Sequence, residues 1–342
     1  MGVRITPPER MAVQNSNLFY MQATSAETNV LNVASSLGRE CLALTKFVKG
    51  SPVADFIKRQ LRARNIRFEG IEVEQGGPWG YRHQFNVADS GFGMRAPRLW
   101  NDRTGEVGRT LSIEDFDVER IFGQEGVGIL HLSGLIAAMS HETTECCLAL
   151  AKAAKQYGTL VSFDLNYRAT FWKGREEELS KAFSELASLA DVLIGNEEDF
   201  ETMLGIKADN TDENYSKIDP MCYKKVAEKV MEKYPNVQVV GNSLREVTSA
   251  CLNNWQCVMM TRNGYFVSRK YMNIEIYDRV GGGDSFASGL IWNLLNGRPE
   301  QECIDFAAAY SALCHTIRND WNLVTTEEAY DVMNGGSARV KR

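Results

Sequence analysis

The stretch DRVGGGDSFASG at residues 278–289 decides the fold of this chain of 342 residues. Before it, residues 270–278 alternate between apolar and polar side chains, as a β-strand does. After it, apolar residues recur at helical spacing until Gly297. The pattern therefore predicts a strand, a turn of three glycines and a helix that begins near Gly283 or Asp284.

Three consecutive glycines at the start of a helix suit the binding of an anion. The backbone N–H groups of residues 281–283 are unobstructed by side chains, and the helix dipole adds positive potential there. Asp284 would repel a phosphate at this point, so it either caps the helix or takes a proton from an attacking hydroxyl group. Neither a GxGxxG dinucleotide motif nor a GxxxxGK[ST] phosphate loop is present. The stretch predicts a phosphate site of another kind.

Composition indicates a globular protein that binds neither nucleic acid nor a membrane. The chain is 44% hydrophobic, has a formal net charge of -6 and contains no blocks of lysine and arginine. It has no stretch of about 20 apolar residues that would span a bilayer. The eight cysteines form no CxxC pair and follow no secretory signal. We therefore expect free thiols in a cytoplasmic protein.

Strand-like and helical segments alternate along most of the chain. Apolar runs such as 127–132 and 159–166, separated by helical patterns, predict a mostly parallel sheet covered by helices on both faces. Asn263 and Gly264 between two strand-like runs predict a two-residue hairpin. Residues 71–110 differ, because scattered aromatic residues, arginines and glycines indicate short antiparallel strands inserted over the ligand site.

Polar side chains follow four of the predicted strands. Ligands of open parallel sheets bind beyond the carboxyl ends of the strands. The side chains concerned are Asp164, Asn166, Arg168, Asn196, Asp199, Arg245 and Glu246, together with the glycine stretch. For each residue alone a turn or capping role is the usual alternative. Four such strand ends in one chain favour a binding site.

The glycine stretch resembles the DTxGAGD signature of the PfkB, or ribokinase-like, carbohydrate kinases. Other segments resemble the branch of that family that phosphorylates 2-keto-3-deoxygluconate. They are AETNVLNVASSLG at 26–38, NDR at 101–103, SFDLNYRATFW at 162–172 and ALCHTIRNDWNLVT at 312–325. The resemblance implies one ribokinase-like α/β domain over residues 1–342, a three-layer α/β/α arrangement with a mostly parallel central sheet. A small β-sheet lid is expected at about residues 9–25 and 71–110.

The resemblance also implies a function. We expect a kinase that uses ATP and Mg²⁺ to phosphorylate the terminal (6-) hydroxyl group of a sugar acid, with 2-keto-3-deoxygluconate as the substrate. Two alternatives stay open: a kinase for another ketohexose or related sugar, and a catalytically degenerate homologue that binds a sugar acid or nucleotide. A homodimer formed through the lid is a further expectation.

Site residues follow from the same resemblance. Asp284 is expected to be the catalytic base, with Gly281, Gly282 and Gly283 lining the anion hole. The residues expected at the sugar acid are Thr24, Ser25, Asn29, Tyr81, Arg95, Asn101, Arg103 and Arg168. The residues expected at the nucleotide are Asp164, Asn166, Asn196, Arg245 and Asn322. Asp199 stands in place of the glutamate of an NxxE motif and is expected to support Mg²⁺ through water.

Two departures from the family pattern bear on activity. Thr24 and Ser25 stand where the family has two glycines beside the substrate, so side-chain bulk is expected to impair substrate contact. The family's first strand, ending in Gly-Glu or Gly-Asp, should precede the match at residues 4–8, and almost none of it is present. Either the chain begins late or its central strand is built differently. Retention of Asp284 and all three glycines favours the active enzyme.

Overall fold

The computed structural model describes residues 1–207 and 219–336. The strands are β1 (Gly2–Thr6), β2 (Tyr20–Thr24), β3 (Cys41–Leu44), β4 (Phe47–Val48), β5 (Ile66–Glu69), β6 (Glu72–Val73), β7 (Phe85–Asp89), β8 (Arg98–Asp102), β9 (Ile129–Ser133), β10 (Leu160–Asp164), β11 (Val192–Ile194), β12 (Val239–Ser249), β13 (Leu252–Thr261), β14 (Gly264–Val267) and β15 (Tyr271–Glu275). The helices are α1 (Ala26–Ser36), α2 (Pro52–Ala63), α3 (Gly134–Ala137), α4 (His141–Gln156), α5 (Ala169–Trp172), α6 (Glu176–Leu189), α7 (Glu197–Leu204), α8 (Pro220–Lys233), α9 (Gly282–Leu295), α10 (Glu300–Cys314) and α11 (Thr326–Met333).

The central sheet has the strand order β14-β13-β12-β11-β10-β9, with β15 also paired to β13. Strands β9 to β12 are parallel, whereas β13, β14 and β15 join antiparallel. Thr261 pairs with Gly264 across a two-residue turn, which confirms the predicted hairpin. Since β9 to β12 run in the same direction, their carboxyl ends meet at one edge of the sheet.

Helices cover both faces of this sheet. Leu193 of β11 packs among residues of α4, α6 and α8. Its neighbours Val192 and Ile194 point the other way and pack among residues of α1, α9 and α10. Because both faces are buried, the strand is apolar throughout. This is the predicted three-layer α/β/α arrangement.

The lid is a second sheet with the strand order β2-β1-β7-β8. Strand β1 is antiparallel to β2 and parallel to β7, and β8 is antiparallel to β7. Strands β2, β7 and β8 lie within the segments predicted for the lid, at 9–25 and 71–110. The prediction omitted residues 2–6, which form the inner strand of this sheet.

An apolar cavity separates the central sheet from the small sheet of β3 and β5. Strand β9 pairs with β10 and β3 pairs with β5, so within the described residues each has one unpaired edge. The cavity between these edges has a volume of about 600 Å³, and its lining includes Leu42, Leu44, Leu130 and His131. Burial lowers the pKa of His131 to about 4, so the ring is neutral at pH 7. Residues 2–6 pair in the lid and do not fill this gap.

All eight cysteines of the chain are free thiols, and six of them are buried. Burial raises the pKa of Cys41 and of Cys146 to about 12, so these two thiols are unreactive at neutral pH.

Across residues 1–207 and 219–336, every helix is too short or too polar to cross a bilayer.

Candidate active site

The three glycines form the start of α9, close to where the sequence predicts a helix start. Gly281 is the N-cap and has a φ of 85°, and a Cβ added to it would lie 2.4 Å from the carbonyl oxygen of Asp320. A Cβ on Gly282 would lie 2.6 Å from Cε1 of His315. Side chains are therefore excluded at both positions. The first N–H groups of α9 are left bare, which suits an anion.

Asp284 lies in the first turn of α9 and does not cap it, because the N-cap is a glycine. Its Oδ2 accepts a 2.6 Å hydrogen bond from Nδ2 of Asn29. Burial raises the pKa of Asp284 to about 7. The charges of Asp320 and Glu27 act in the same direction, whereas the Asn29 hydrogen bond and the charge of Arg168 oppose them. A carboxylate with a pKa near neutrality suits general base catalysis.

Asp284 and the glycines open into a cavity of about 600 Å³ that is lined by residues of the lid and of the strand ends of the central sheet. Most of the predicted site residues line this cavity. They are Thr24, Ser25, Asn29, Asn101, Arg103, Asp164, Asn166, Arg168, Asn196, Asp199, Arg245, Gly281, Gly283 and Asp284. The fold thus brings together residues that are up to 260 positions apart, since Thr24 and Asp284 belong to the same set.

Four predicted site residues lie outside the lining of the cavity. Arg95 forms an ion pair with Asp89 at 2.9 Å, and Tyr81 is 40% exposed. Asn322 is fully buried, and its amide bonds to backbone groups in and after α10. Gly282 faces the protein interior. These four positions were predicted from motif matches. A motif match does not distinguish a residue that contacts the ligand from a residue that supports a ligand-binding loop.

Thr24 and Ser25 have structural partners of their own. Ser25 is the N-cap of α1, where its Oγ accepts a 3.1 Å hydrogen bond from the N–H of Thr28. Thr24 donates a 2.6 Å hydrogen bond to Oδ2 of Asp320. The φ of Ser25 is -165°, an extended conformation that any residue adopts. The expected conformational penalty for the missing glycines is therefore not found.

Carboxyl groups gather at the ends of the parallel strands. The pKa of Asp164 lies well above its usual value because of burial, with further contributions from Asp199 and Asp284. Burial also raises the pKa of Asp199, although the N–H groups of Asn196 and Tyr167 donate to its carboxylate at 2.9 and 3.2 Å. Such mutual repulsion favours a nearby cation. Yet no group of three His, Cys, Asp or Glu residues in the described part of the chain is placed to hold a metal ion.

Arg4 is the principal residue that the sequence patterns did not reveal. It is 1% exposed, and its Nη2 donates to the two carboxylate oxygens of Asp278 at 3.0 and 2.8 Å. Its Nη1 bonds to Asp320, which also accepts hydrogen bonds from Gln22 at 2.8 Å and Thr24 at 2.6 Å. This network ties β1 and β2 of the lid to the glycine loop. The sequence does contain a signal for Arg4, because an arginine inside a buried strand requires an acidic partner.

The comparison with known proteins agrees with this geometry. The sequence model of the pfkB family carbohydrate kinases matches residues 26–233 and 257–322. The crystal structure of 2-dehydro-3-deoxygluconokinase from Thermotoga maritima has a TM-score of 0.88 and 33% identity, covering 98% of this chain and 97% of that chain.

Two relatives show similarity at lower identity. The 2-dehydro-3-deoxygalactonokinase of Haloferax volcanii is 25% identical over 340 residues, which is 99% of this chain and 96% of the relative. A 5-dehydro-2-deoxygluconokinase of Clostridium perfringens is 28% identical over 214 residues, which is 62% of this chain and 55% of the relative. Since the family match covers most of the chain and includes the glycine loop with Asp284, this chain belongs to the pfkB family of carbohydrate kinases.

Proposed function

We propose that this protein is an ATP-dependent kinase that phosphorylates 2-keto-3-deoxygluconate at its terminal (6-) hydroxyl group. One observation carries the proposal: Asp284, with a pKa near 7, adjoins a bare helix N-terminus in a cavity that also contains Arg103 and Arg168. A base, an anion site and cations for a carboxylate are the parts that such a reaction needs. The free thiols favour a reducing compartment, so we place the reaction in the cytoplasm.

The cavity residues suit a nucleotide with a magnesium ion held indirectly. The glycine loop offers bare N–H groups, and Oδ1 of Asn166 is buried without a hydrogen-bond partner in the cavity lining. Asp164 and Asp199 would orient water molecules on the metal, because carboxylates and water are the ligands that Mg²⁺ prefers. Phosphate oxygens would complete its coordination.

In the proposed reaction, bound ATP and Mg²⁺ supply the transferable phosphoryl group and neutralise part of its charge. Asp284 accepts the proton of the terminal hydroxyl group as the hydroxyl oxygen bonds to the γ-phosphorus of ATP. The bond from that phosphorus to the β–γ bridging oxygen breaks, and ADP leaves. The N–H groups of residues 282–284 stabilise charge on the transferring group. Asn29 orients the carboxylate of Asp284 through its hydrogen bond. Lid residues reduce access of water to the cavity.

The arginines that line the cavity favour a substrate with a carboxylate group. Arg168 is exposed, and its Nη1 donates to the carbonyl oxygen of Tyr167 at 2.6 Å, which leaves other donors of its guanidinium group for a carboxylate. Arg103 is paired with Glu106 at 2.8 Å and lies 5.4 Å from the ring centroid of Phe171. Arg168 is therefore the principal candidate for binding the carboxylate group of the sugar acid. A neutral ketohexose would leave it without an anionic partner.

The test is an assay of ADP formation with a panel of substrates. The panel contains 2-keto-3-deoxygluconate, 2-keto-3-deoxygalactonate, 5-dehydro-2-deoxygluconate and fructose. We expect kcat/KM for 2-keto-3-deoxygluconate to exceed that for fructose at least about tenfold, which is ~1.4 kcal/mol. A preference for fructose would refute the acid-specific proposal. Binding of a sugar acid in calorimetry without turnover of any substrate would support the non-catalytic homologue instead.

The lid also supports the proposal of a homodimer. Met21, Ile5, Val87 and Trp100 lie side by side across the four lid strands. The neighbouring row of side chains, which includes Arg4, points to the cavity. Since side chains alternate between the two faces of a sheet, the apolar row lies on the outer face. Its end residues Met21 and Trp100 are 43% and 73% exposed. An apolar strip of this kind favours a second copy of the chain. Light scattering should give a dimer mass for the wild type and a monomer mass for Trp100→Lys.

A further inference from the structure

A second pair of arginines lines the cavity beside the glycine loop. Arg279 precedes the loop, and Arg245 lies on β12 in register with Trp255. The ring of Trp255 packs against that of His315 with 4.6 Å between centroids, and Gly282 lies against the same imidazole ring. The pKa of His315 is lowered to about 4, mainly by burial, and the charges of both arginines act in the same direction. Both arginines therefore lie with Trp255 and His315 in the lining of one cavity, beside the glycine loop.

Among residues 1–207 and 219–336, neither arginine has an acidic partner. The carboxylate of the neighbouring Asp278 is bonded to Arg4 through both oxygens. Nη2 of Arg279 donates to the carbonyl oxygen of Ala250 at 3.2 Å, and its Nε is buried without a hydrogen-bond partner. Arg245 forms no hydrogen bond or ion pair with any residue that the structure describes. Two close like charges without an acid are costly in a partly buried site, so an anionic ligand would offset that cost.

We propose that Arg279 and Arg245 together bind the phosphate groups of the nucleotide, so that Arg279 adds a nucleotide-binding residue to the glycine loop. The inference rests on the proposed kinase function. Placement favours phosphate over the sugar carboxylate, because Arg279 lies two residues before Gly281 and Arg245 pairs with Trp255, whose ring packs on His315. His315 lies against Gly282 of the anion loop, whereas Arg168 follows strand β10. The DTxGAGD signature has a threonine at the position of Arg279, and a threonine carries no charge. This chain therefore has an additional cation next to its anion loop.

Calorimetric titration of the full-length protein with ADP, and separately with tripolyphosphate, tests the inference. Arg279→Thr should weaken the binding of both ligands about tenfold or more, which is ~1.4 kcal/mol, and leave KM for the sugar acid within about twofold. Arg279→Lys keeps the charge without the forked geometry and should be intermediate. Arg262→Thr is the matched control, because Arg262 lies outside the cavity lining and bonds to the carbonyl oxygens of Pro235 and Val237.

The outcomes separate this inference from the kinase function. Affinity for ADP within about twofold of wild type in both Arg279 variants would overturn the inference, and sugar-acid turnover would then leave the kinase function intact. Weakened ADP binding in a protein that phosphorylates no sugar would support the inference and refute the kinase function. A wild type that binds neither ADP nor tripolyphosphate would overturn both. If Arg279→Thr fails to fold, Arg279→Lys and Arg245→Thr provide the same comparison.

Discussion

The side-chain amide of Asn29 donates a 2.6 Å hydrogen bond to Oδ2 of Asp284, so a residue of α1 stabilises the ionised form of the proposed base on α9. Sequence resemblance predicted that Asn29 lies at the sugar acid. Asn29 does line the cavity, where its Oδ1 is buried without a protein partner. The same amide can therefore orient the base through one atom and accept a hydrogen bond from the substrate through the other.

This bond gives a prediction about pH. Burial raises the pKa of Asp284 to about 7, and only the ionised carboxylate accepts a proton, so kcat/KM should fall as pH decreases through about 7. Asn29→Leu removes a hydrogen bond that favours ionisation and should move this acid limb to higher pH. Asn32→Leu, one turn along α1, is the control, because Asn32 bonds to the carbonyl oxygen of Asn322. An acid limb at the same pH in Asn29→Leu and wild type would contradict the account.

Arg4→Met should destabilise the protein strongly. It would leave the carboxylates of Asp278 and Asp320 buried without their cation, and breaking a buried pair costs about 3–5 kcal/mol. The folded-state pKa of Asp278, which burial raises and the charge of Arg4 lowers, should rise further in the variant. An acid with a raised folded-state pKa loses stability as pH increases, so the loss should be larger at pH 8 than at pH 5. Urea unfolding at both pH values measures it, and equal losses would argue against unpaired carboxylates as the cause.

Replacing Thr24 and Ser25 by glycines should not improve the enzyme. The sequence favours a gain in kcat/KM from this change, but the structure reverses the expectation, because Ser25 caps α1 and Thr24 bonds to Asp320. Loss of the cap costs only a few tenths of a kcal/mol when glycine replaces serine, and the lost Thr24 bond adds about 1.5–3 kcal/mol. Thermal melts of Thr24→Gly, Ser25→Gly and the double variant should show a small loss for Ser25→Gly and larger losses for the two variants that lack Thr24. A tenfold rise in kcat/KM would restore the original expectation.

Arg168→Lys should raise KM for the sugar acid more than KM for ATP, because lysine cannot form a bidentate pair with a carboxylate. The effect of Arg103→Lys should be smaller, since Arg103 is already paired with Glu106. We expect about a tenfold effect at Arg168 by steady-state kinetics. An equal rise of both KM values would remove Arg168 from the acid end of the site.

Local chemistry explains what the sequence predicts well. The glycine loop, the start of α9 and the hairpin at Asn263 each depend on a few adjacent residues with special backbone preferences, so the pattern identifies them. The layer arrangement follows from continuous apolar strands between helices. Most of the site residues that family resemblance predicted line the cavity, because their motifs lie at strand ends.

Long-range pairing explains what the sequence missed. Arg4 finds its partners Asp278 and Asp320 at separations of 274 and 316 residues, which no local pattern encodes. The place of β1 in the lid likewise depends on its pairing with β7, about 80 residues away in sequence. The gap between β3 and β9 also depends on which strand edges stay unpaired in the described residues, and no local pattern encodes that. The amide of Asn322 bonds to backbone groups 12 and 2 residues away, and its predicted place at the nucleotide stays a prediction.

The most direct test of the central claim is turnover of 2-keto-3-deoxygluconate by the wild type and by Asp284→Asn. The substitution keeps the shape of the side chain and removes its basicity, so kcat should fall about 10²- to 10⁴-fold while the affinity for ADP changes little. Phosphorus NMR of the wild-type reaction should show a phosphate ester at the terminal hydroxyl group. An Asp284→Asn variant that retains most of its kcat, or a wild type that forms no such ester, would contradict the account.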